Sequence, residues 1–226
     1  MPRPIAVCLV SGGLDSCVAA ACAAKNYELA FLHVKYGQRT EARELRAFNK
    51  IADFYKVKYR LITSVPALKD IGGSALTDEK LKVPEGSVST DGIPITYVPF
   101  RNAHFLAIAV SWGEVLGAKR IFIGASQVDF SGYPDCRASF FEAFNQVIKE
   151  GTRPETDIRI ETPLINLSKA EIVKLGIKLG APLHLTWSCY QREDMACGRC
   201  ESCLLRLKGF KEAGLEDPIP YVRENI

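Results

Sequence analysis

Long apolar runs, blocks of like charge and internal repeats are all missing from this 226-residue chain. Without an apolar run of bilayer length, no membrane-spanning helix is predicted. The opening MPRPIAVCLV has no sustained apolar region and no small-residue cleavage site before a glycine-rich segment begins. No secretory signal is therefore expected, and the expected location is cytoplasmic. Charges nearly cancel, 29 Lys and Arg against 26 Asp and Glu, and they are dispersed. A surface built to hold nucleic acid or an anionic membrane carries a basic cluster, so no stable nucleic-acid partner and no membrane partner is predicted. A small polar substrate fits this balance better.

What is present suits a buried core. Apolar residues make up 47% of the chain, and its length allows one large domain or a domain with an appendage. Runs at 5–10, 28–35, 58–63, 119–125 and 157–162 read as strands, several too continuously apolar to have a wet face. Helical patterns near 15–26, 40–56, 101–117, 137–150 and 168–180 alternate with them. That order predicts an open, doubly wound, mainly parallel α/β sheet. Ser168 and Glu171 fit a capping box opening the last of these helices. Residues 65–98 are rich in Gly, Pro, Ser and Thr, and they read as a long, mobile insertion near a substrate entrance. The expected division is a nucleotide-binding domain over 1–184 and a cysteine-bearing segment over 185–226.

Ser11-Gly12-Gly13-Leu14-Asp15-Ser16 lies between the first strand and the first helix, where backbone N–H groups and the positive helix end converge. Glycines at 12 and 13 let a ligand approach the main chain, and the two serine hydroxyls add donors, so the loop suits a pyrophosphate. It is not a P-loop, because no G-K-[ST] follows, and G-x-G-x-x-G is missing too. Asp15 has two readings. A carboxylate in a helix's first turn often caps it; beside phosphates it is repelled unless a cation intervenes, and Mg²⁺ takes one or two carboxylates plus phosphate oxygens. The second reading makes Asp15 a metal holder.

Cys189, Cys197, Cys200 and Cys203 follow C-x₇-C-x₂-C-x₂-C. With no export features the thiols are expected to be reduced, and this spacing lets all of them reach one tetrahedral ion. One structural Zn²⁺ per chain is expected, with an iron–sulfur cluster as the competing reading. The metal would fold 185–205 into a knuckle and dock the last helix. Cys8, Cys17 and Cys22 fall on the apolar first strand and helix and are expected to be inert. Cys136 sits in a polar loop and is weighed as a nucleophile. His33, His104 and His184 stand singly in apolar surroundings and read as packed or exposed residues, not bases.

SGGLDS after a first strand resembles the signature of the PP-loop ATP pyrophosphatases. The segments YGQR (36–39), VPFRN (98–102), VDFSGYPDCR (128–137), TPLINLSKAEI (162–172) and CGRCESCLLRLKGFKEAG (197–214) together resemble the QueC family of 7-cyano-7-deazaguanine synthases. Thr40 departs from that pattern where histidine is usual, and Phe100 departs where glycine is usual. The resemblance implies an ATP-dependent ligase forming carbon–nitrogen bonds. It would convert 7-carboxy-7-deazaguanine and ammonia to the nitrile in queuosine or archaeosine biosynthesis, with Mg²⁺ alongside ATP. The strand end Leu9-Val10 and the loop Ser11, Gly12, Gly13, Leu14, Asp15 and Ser16 are then the expected ATP site. Monomer and homodimer both remain open.

The side chains fit such a ligand. A deazapurine calls for a stacking ring and a carboxylate on its donor edge, and Asp129, Phe130, Tyr133 and Asp135 offer both types. A simple Gly-Tyr-Pro-Asp turn is the bland reading of the same stretch. Arg101, followed by Asn102, opens one helix and Lys169 another, where the helix dipole disfavours positive charge unless an anion offsets it. Asp15, Ser16, Arg101 and Lys169 are accordingly the expected catalytic residues, with surface solvation the dull alternative for the two cations. Chemically, AMP placed on an oxygen makes it a leaving group for ammonia, and a nitrile requires both oxygens to go, hence two activations. No glutaminase module is evident, so free ammonia is the expected donor. Two rival readings are a tRNA-modifying PP-loop enzyme of the thiolase or lysidine synthase type, and a zinc-knuckle nucleic-acid-binding protein.

Overall fold

The computed structural model describes residues 2–86, 92–128 and 132–222. Strands β1 (Ile5–Leu9), β2 (Glu28–Lys35), β3 (Tyr59–Ser64), β4 (Arg120–Ile123) and β5 (Arg159–Glu161) form one sheet in the order β3-β2-β1-β4-β5. Every neighbouring pair is parallel. Helices α1 (Leu14–Ala24), α2 (Glu41–Phe54), α3 (Ala67–Ile71), α4 (Arg101–Leu116), α5 (Ala138–Gly151), α6 (Lys169–Lys178) and α7 (Glu201–Ala213) connect and flank it. The fold is the expected open, doubly wound parallel α/β sheet. All five expected strands and all five expected helices lie within two residues of their predicted bounds.

Alternation along the strands sorts the core into two layers. Ala6, Cys8 and Phe31 pack with α1, α2 and α6 on one face, while Val7, Leu9, Ala30 and Leu32 pack with α4 and α5 on the other. Both faces of β1 are covered, which is why its sequence is apolar without a break. Helix α1 is rich in alanine and buried at Ala19, Ala20, Ala21 and Ala23. Small side chains let it lie tightly between the sheet and α6, where a Cβ on Gly176 would come within 2.9 Å of Val18. Such interiors tolerate no added volume without strain of about 1–3 kcal/mol.

The described residues of 65–98 are packed more closely than their composition suggests. It carries α3, and Ser74, Ala75, Leu76, Thr77 and Thr96 are buried. Arg39 is the staple: its guanidinium donates to the carbonyls of Ala75 (2.7 Å), Asp78 (2.9 Å) and Leu81 (2.6 Å). Glu85 then pairs with Arg199 at 3.0 Å, tying the segment to the cysteine region. The cysteines share a small cluster with Trp187, with Ala47 of α2, and with Ala75 and Val83. Among the described residues no helix is long and apolar enough to cross a membrane.

Candidate active site

The chain leaves β1 toward β2 and β3 on one side and adds β4 and β5 on the other, so the sheet's order reverses between β1 and β4. Crevices outside the carboxyl ends of strands at such a point are where open α/β sheets bind ligands. Here the two edges are brought together by missing side chains. A Cβ on Gly124, just past β4, would lie 2.6 Å from the Asp15 carbonyl, and one on Gly12 would lie 2.6 Å from the Glu44 carbonyl oxygen. Gly12 also needs its positive φ of 94°, and its carbonyl accepts from the Trp187 N–H at 2.8 Å.

The loop has the geometry expected of an anion cradle. Gly13 occupies the N-cap of α1 and no side chain caps that end, so Asp15 is not a cap. The first-turn N–H groups lie beside an open cavity lined by Leu9, Val10, Ser11, Gly13, Leu14, Asp15 and Ser16. The Ser11 and Ser16 hydroxyls stand 3.2 Å apart; Gly13 N–H donates to the first at 3.2 Å, and the second donates to the Gly13 carbonyl at 3.0 Å. Gly12 sits behind this wall.

Asp15 and Lys169, 154 residues apart, form a close pair, Nζ donating to both carboxylate oxygens at 2.9 and 2.8 Å. The Lys169 side chain is 8% exposed. The capping box is present in full, Glu171 N–H donating to Ser168 Oγ and the Glu171 carboxylate accepting from Ser168 N–H. It fixes Lys169 at the first position of α6, and Asp15 supplies the negative charge that this position demands. Gly209 of α7 completes the mount, since a Cβ there would overlap the Lys169 side chain.

Arg101 lines the same cavity. Its Nη1 donates to the Tyr36 hydroxyl at 3.1 Å, and its guanidinium lies 5.4 Å from the Tyr36 ring centroid and 5.7 Å from that of Phe105. Its buried Nε has no hydrogen-bond partner. A buried donor left unmade costs about 1–3 kcal/mol, and an anion in the cavity would relieve it. The residue before it, Phe100, holds a left-handed backbone at φ 57° and ψ 23°.

Tyr133 is buried in the cavity wall with its hydroxyl 2.8 Å from Thr96 Oγ1. Asp135 turns away. Its Oδ2 accepts from Asn102 N–H at 2.9 Å, while the Asn102 side-chain amide donates to the Asp135 carbonyl at 2.9 Å and to Cys136 Sγ at 3.3 Å. Asp135 therefore holds the start of α4 and does not line the cavity. The turn reading of this stretch explains it, for Pro134–Cys136 is a single 3₁₀ turn. Asp129 and Phe130 lie outside the described residues. Burial, with the Asp135 charge beside it, pushes the Cys136 thiol up to about 12, so it keeps its proton and is no nucleophile at neutral pH. Cys17 is likewise raised to about 12 by burial. His33 is buried with Nδ1 3.0 Å from the Val10 carbonyl oxygen, His104 bonds the Phe100 carbonyl at 2.9 Å, and His184 is exposed. None of the three lines the cavity.

Sγ atoms of Cys189, Cys197, Cys200 and Cys203 all lie within 4.8 Å of one another, and all four residues are buried. Zn–S bonds of about 2.3 Å place sulfurs roughly 3.8 Å apart in a tetrahedron; Cys197 and Cys203 are 3.9 Å apart. Backbone N–H groups of Gln191 and Cys197 donate to Cys189 Sγ at 3.4 Å, and Cys200 N–H donates to Cys197 Sγ at 3.3 Å. Donors aimed at sulfur suit thiolates. The Cys200 and Cys203 thiols hold Cys189 far below the usual thiol range, while the bond to Cys189 raises Cys200 to about 12. The donor set and spacing fit a closed four-sulfur metal site.

Several cavity residues escaped the sequence reading. Glu44 lies on the helix stripe that continues through Ala47, Phe48 and Ile51, and a carboxylate on an apolar stripe was a legible signal. Arg206 had none. Its side chain, 1% exposed, makes a forked pair with Asp217 at 2.7 and 3.0 Å and donates to Thr186 Oγ1 at 2.7 Å and Ser188 Oγ at 3.1 Å. Thr40, buried, donates to Glu44 at 3.1 Å and lies 3.3 Å from the Cys189 carbonyl oxygen, so the residue that departs from the resembled pattern still supplies a donor.

A family model described as queuosine biosynthesis protein QueC matches residues 5–214. A 7-cyano-7-deazaguanine synthase of Acidobacterium capsulatum is 56% identical over 224 residues, covering 97% of both chains. One of Chlorobaculum parvum is 56% identical over 217 residues, covering 96% of both. Among solved structures, an NMN synthetase from Francisella tularensis aligns with 12% identity and a TM-score of 0.49, covering 100% of this chain and 90% of that one. An NH3-dependent NAD synthetase from Campylobacter jejuni aligns with 13% identity and a TM-score of 0.46, covering 82% and 67%. With a family match running from β1 through the end of α7, and relatives more than half identical from end to end, this chain belongs to the QueC family.

Proposed function

We propose that this chain is a 7-cyano-7-deazaguanine synthase, a carbon–nitrogen ligase that uses ATP to activate the carboxylate of 7-carboxy-7-deazaguanine and ammonia to replace it. The observation that carries the reading is convergence: in a QueC-family chain, the uncapped end of α1, the Asp15–Lys169 pair and the half-satisfied Arg101 face one cavity. The α1 amides and the Ser11 and Ser16 hydroxyls hold the triphosphate. Lys169 and Arg101 balance charge as the substrate carboxylate attacks the α-phosphorus and pyrophosphate leaves. Ammonia then displaces AMP to give the amide, and activation of the amide oxygen in a second round allows its loss and the nitrile. Tyr133 offers the substrate an aromatic face, and Asp135 acts through Asn102 by fixing the helix end that carries Arg101. Asp15, which lines the cavity with Ser11 and Ser16 and keeps lone-pair capacity beyond its bonds from Lys169, would hold a Mg²⁺ ion, and the ion would neutralise phosphate charge. Cys189, Cys197, Cys200 and Cys203 would hold zinc as a structural ion.

Purified protein incubated with 7-carboxy-7-deazaguanine, ammonium, Mg²⁺ and ATP is expected to yield the nitrile and AMP by mass spectrometry. Neither product, or nucleotide turnover without the nitrile, would refute the assignment.

A further inference from the structure

Among the described residues, the carboxylates lining the cavity are Asp15 and Glu44. Asp15 is engaged by Lys169; the reaction just described gives Glu44 nothing to do. Two neutral donors fix it: Gln38 Nε2 donates to Oε2 at 3.0 Å and Thr40 Oγ1 to Oε1 at 3.1 Å. Gln38 is itself set by the Tyr36 N–H, 2.9 Å from its Oε1. No Lys or Arg of the described residues pairs with Glu44. The nearby charges are Glu41 on its own helix and Arg101 from α4. Elsewhere in the cavity Arg39 is turned to the 75–81 carbonyls, Arg206 to Asp217, and Lys169 to Asp15. The Glu44 backbone abuts Gly12, so the side chain stands beside the loop assigned to the nucleotide. Each carboxylate oxygen keeps lone-pair capacity beyond the one bond it accepts. A small cation with several N–H donors matches it.

We propose that Glu44 binds the ammonium ion and accepts its proton, releasing ammonia next to the activated carbonyl. This rests on the synthase reading above. In the step, an N–H bond of ammonium breaks and its proton moves to a Glu44 oxygen. The freed nitrogen lone pair forms the C–N bond to the acyl adenylate, the C–O bond to AMP breaks with its electron pair staying on AMP, and the surplus N–H proton passes to water. Withdrawal from water raises the Glu44 carboxyl to about 7, against the lowering by its Gln38 and Thr40 bonds and by Arg101. It is thus partly ionised at neutral pH and basic enough to take a proton.

The test compares ammonium with hydroxylamine, a nucleophile already unprotonated at neutral pH. In Glu44→Gln, product formation from ammonium is expected to fall about 100-fold, a general-base effect, while the hydroxamate forms at a rate within about threefold of wild type. At fixed total ammonium the variant's rate should climb about tenfold per pH unit above neutrality, tracking free ammonia, whereas wild type stays flat. Glu44→Asp should keep the flat profile at a lower rate. Equal loss with both nucleophiles would make Glu44 a structural support and overturn the proposal, as would full ammonium activity in Glu44→Gln or a climbing profile in Glu44→Asp. Wild type inactive with both nucleophiles would overturn the synthase reading and this one with it.

Discussion

The glycine loop at 11–16 stands on β1, a strand bonded to parallel neighbours on both sides and covered on both faces. The cysteine segment at 189–203 has no helix or strand until α7 begins at Glu201. Yet the two form walls of one cavity, since Tyr190 and Ser202, with Trp187, Ser188 and Arg206 flanking them, line it along with Ser11 and Asp15. The loop's position follows from main-chain bonds and absent side chains. The other wall's position follows from thiols, one buried ion pair and the Trp187 N–H that reaches Gly12. Changing side chains should therefore silence the first wall and unfold the second.

The largest effect is expected from the metal site. Structural zinc binding is worth about 10–16 kcal/mol in small domains, most of it spent on folding the segment that holds it. Cys200→Ser should drop bound zinc well below one per chain by atomic absorption. It should also lower the Tm by about 10 °C or more, at roughly 2–4 °C per kcal/mol for a chain of this size. A variant with full stability and no metal would mean that the second wall does not depend on the ion.

Asp15→Asn should act in the opposite sense. Asparagine keeps the shape and one acceptor for Lys169 but removes the charge, so turnover is expected to fall about 1000-fold or more, the scale of losing a main electrostatic group. Zinc content should be unchanged. Retained activity would remove Asp15 from the chemistry; loss of zinc would show that the two walls are not independent.

Between these falls the buried pair. Arg206 and Asp217 have side chains 1% and 2% exposed, and Asp217 also accepts from the Tyr221 hydroxyl at 2.6 Å. Removing one partner of such a pair costs about 3–5 kcal/mol, because the other is left charged and dry. Asp217→Ala should show that loss by denaturant unfolding, with zinc still bound.

The contrast between the walls also explains what could be read without coordinates. Strands covered on both faces announce themselves as unbroken apolar runs, and a metal knuckle announces itself through cysteine spacing. Both signals are local. The pairing of Asp15 with Lys169 is not, nor is the grip of Arg39 on the 65–98 segment, and each depends on a close approach that only the fold creates. The segment read as a mobile insertion because its composition is that of a loop; the three carbonyls held by one guanidinium tie its 75–81 part to the fold. Asp135 misled for a related reason. A carboxylate beside an aromatic pair suggests a ligand contact, but the uncapped N-terminus of a neighbouring helix wants the same group. Gly209, inside a helix where glycine costs about 1 kcal/mol, was a signal of close approach that went unused.

The smallest effect concerns the third wall, where α4 begins, and decides which regime it follows. Phe100 holds a left-handed backbone that costs a side-chain-bearing residue about 1–2 kcal/mol and glycine almost nothing. Phe100 is 56% exposed, and among the described residues its ring makes edge contacts, with centroids 6.3 Å from His104 and 6.2 Å from Phe140. Phe100→Ala loses those contacts and keeps the strain; Phe100→Gly loses both, at the cost of a more flexible unfolded chain. The glycine variant should therefore melt about 2–4 °C above the alanine variant, roughly 1 kcal/mol at this chain length. If main-chain geometry and the Asp135 bond to Asn102 alone hold the helix end, Arg101 stays aimed and the KM for the carboxylate substrate is the same in both variants. A higher KM in the glycine variant alone would mean that the stiffness of residue 100 aims Arg101, placing this wall with the cysteine side of the comparison.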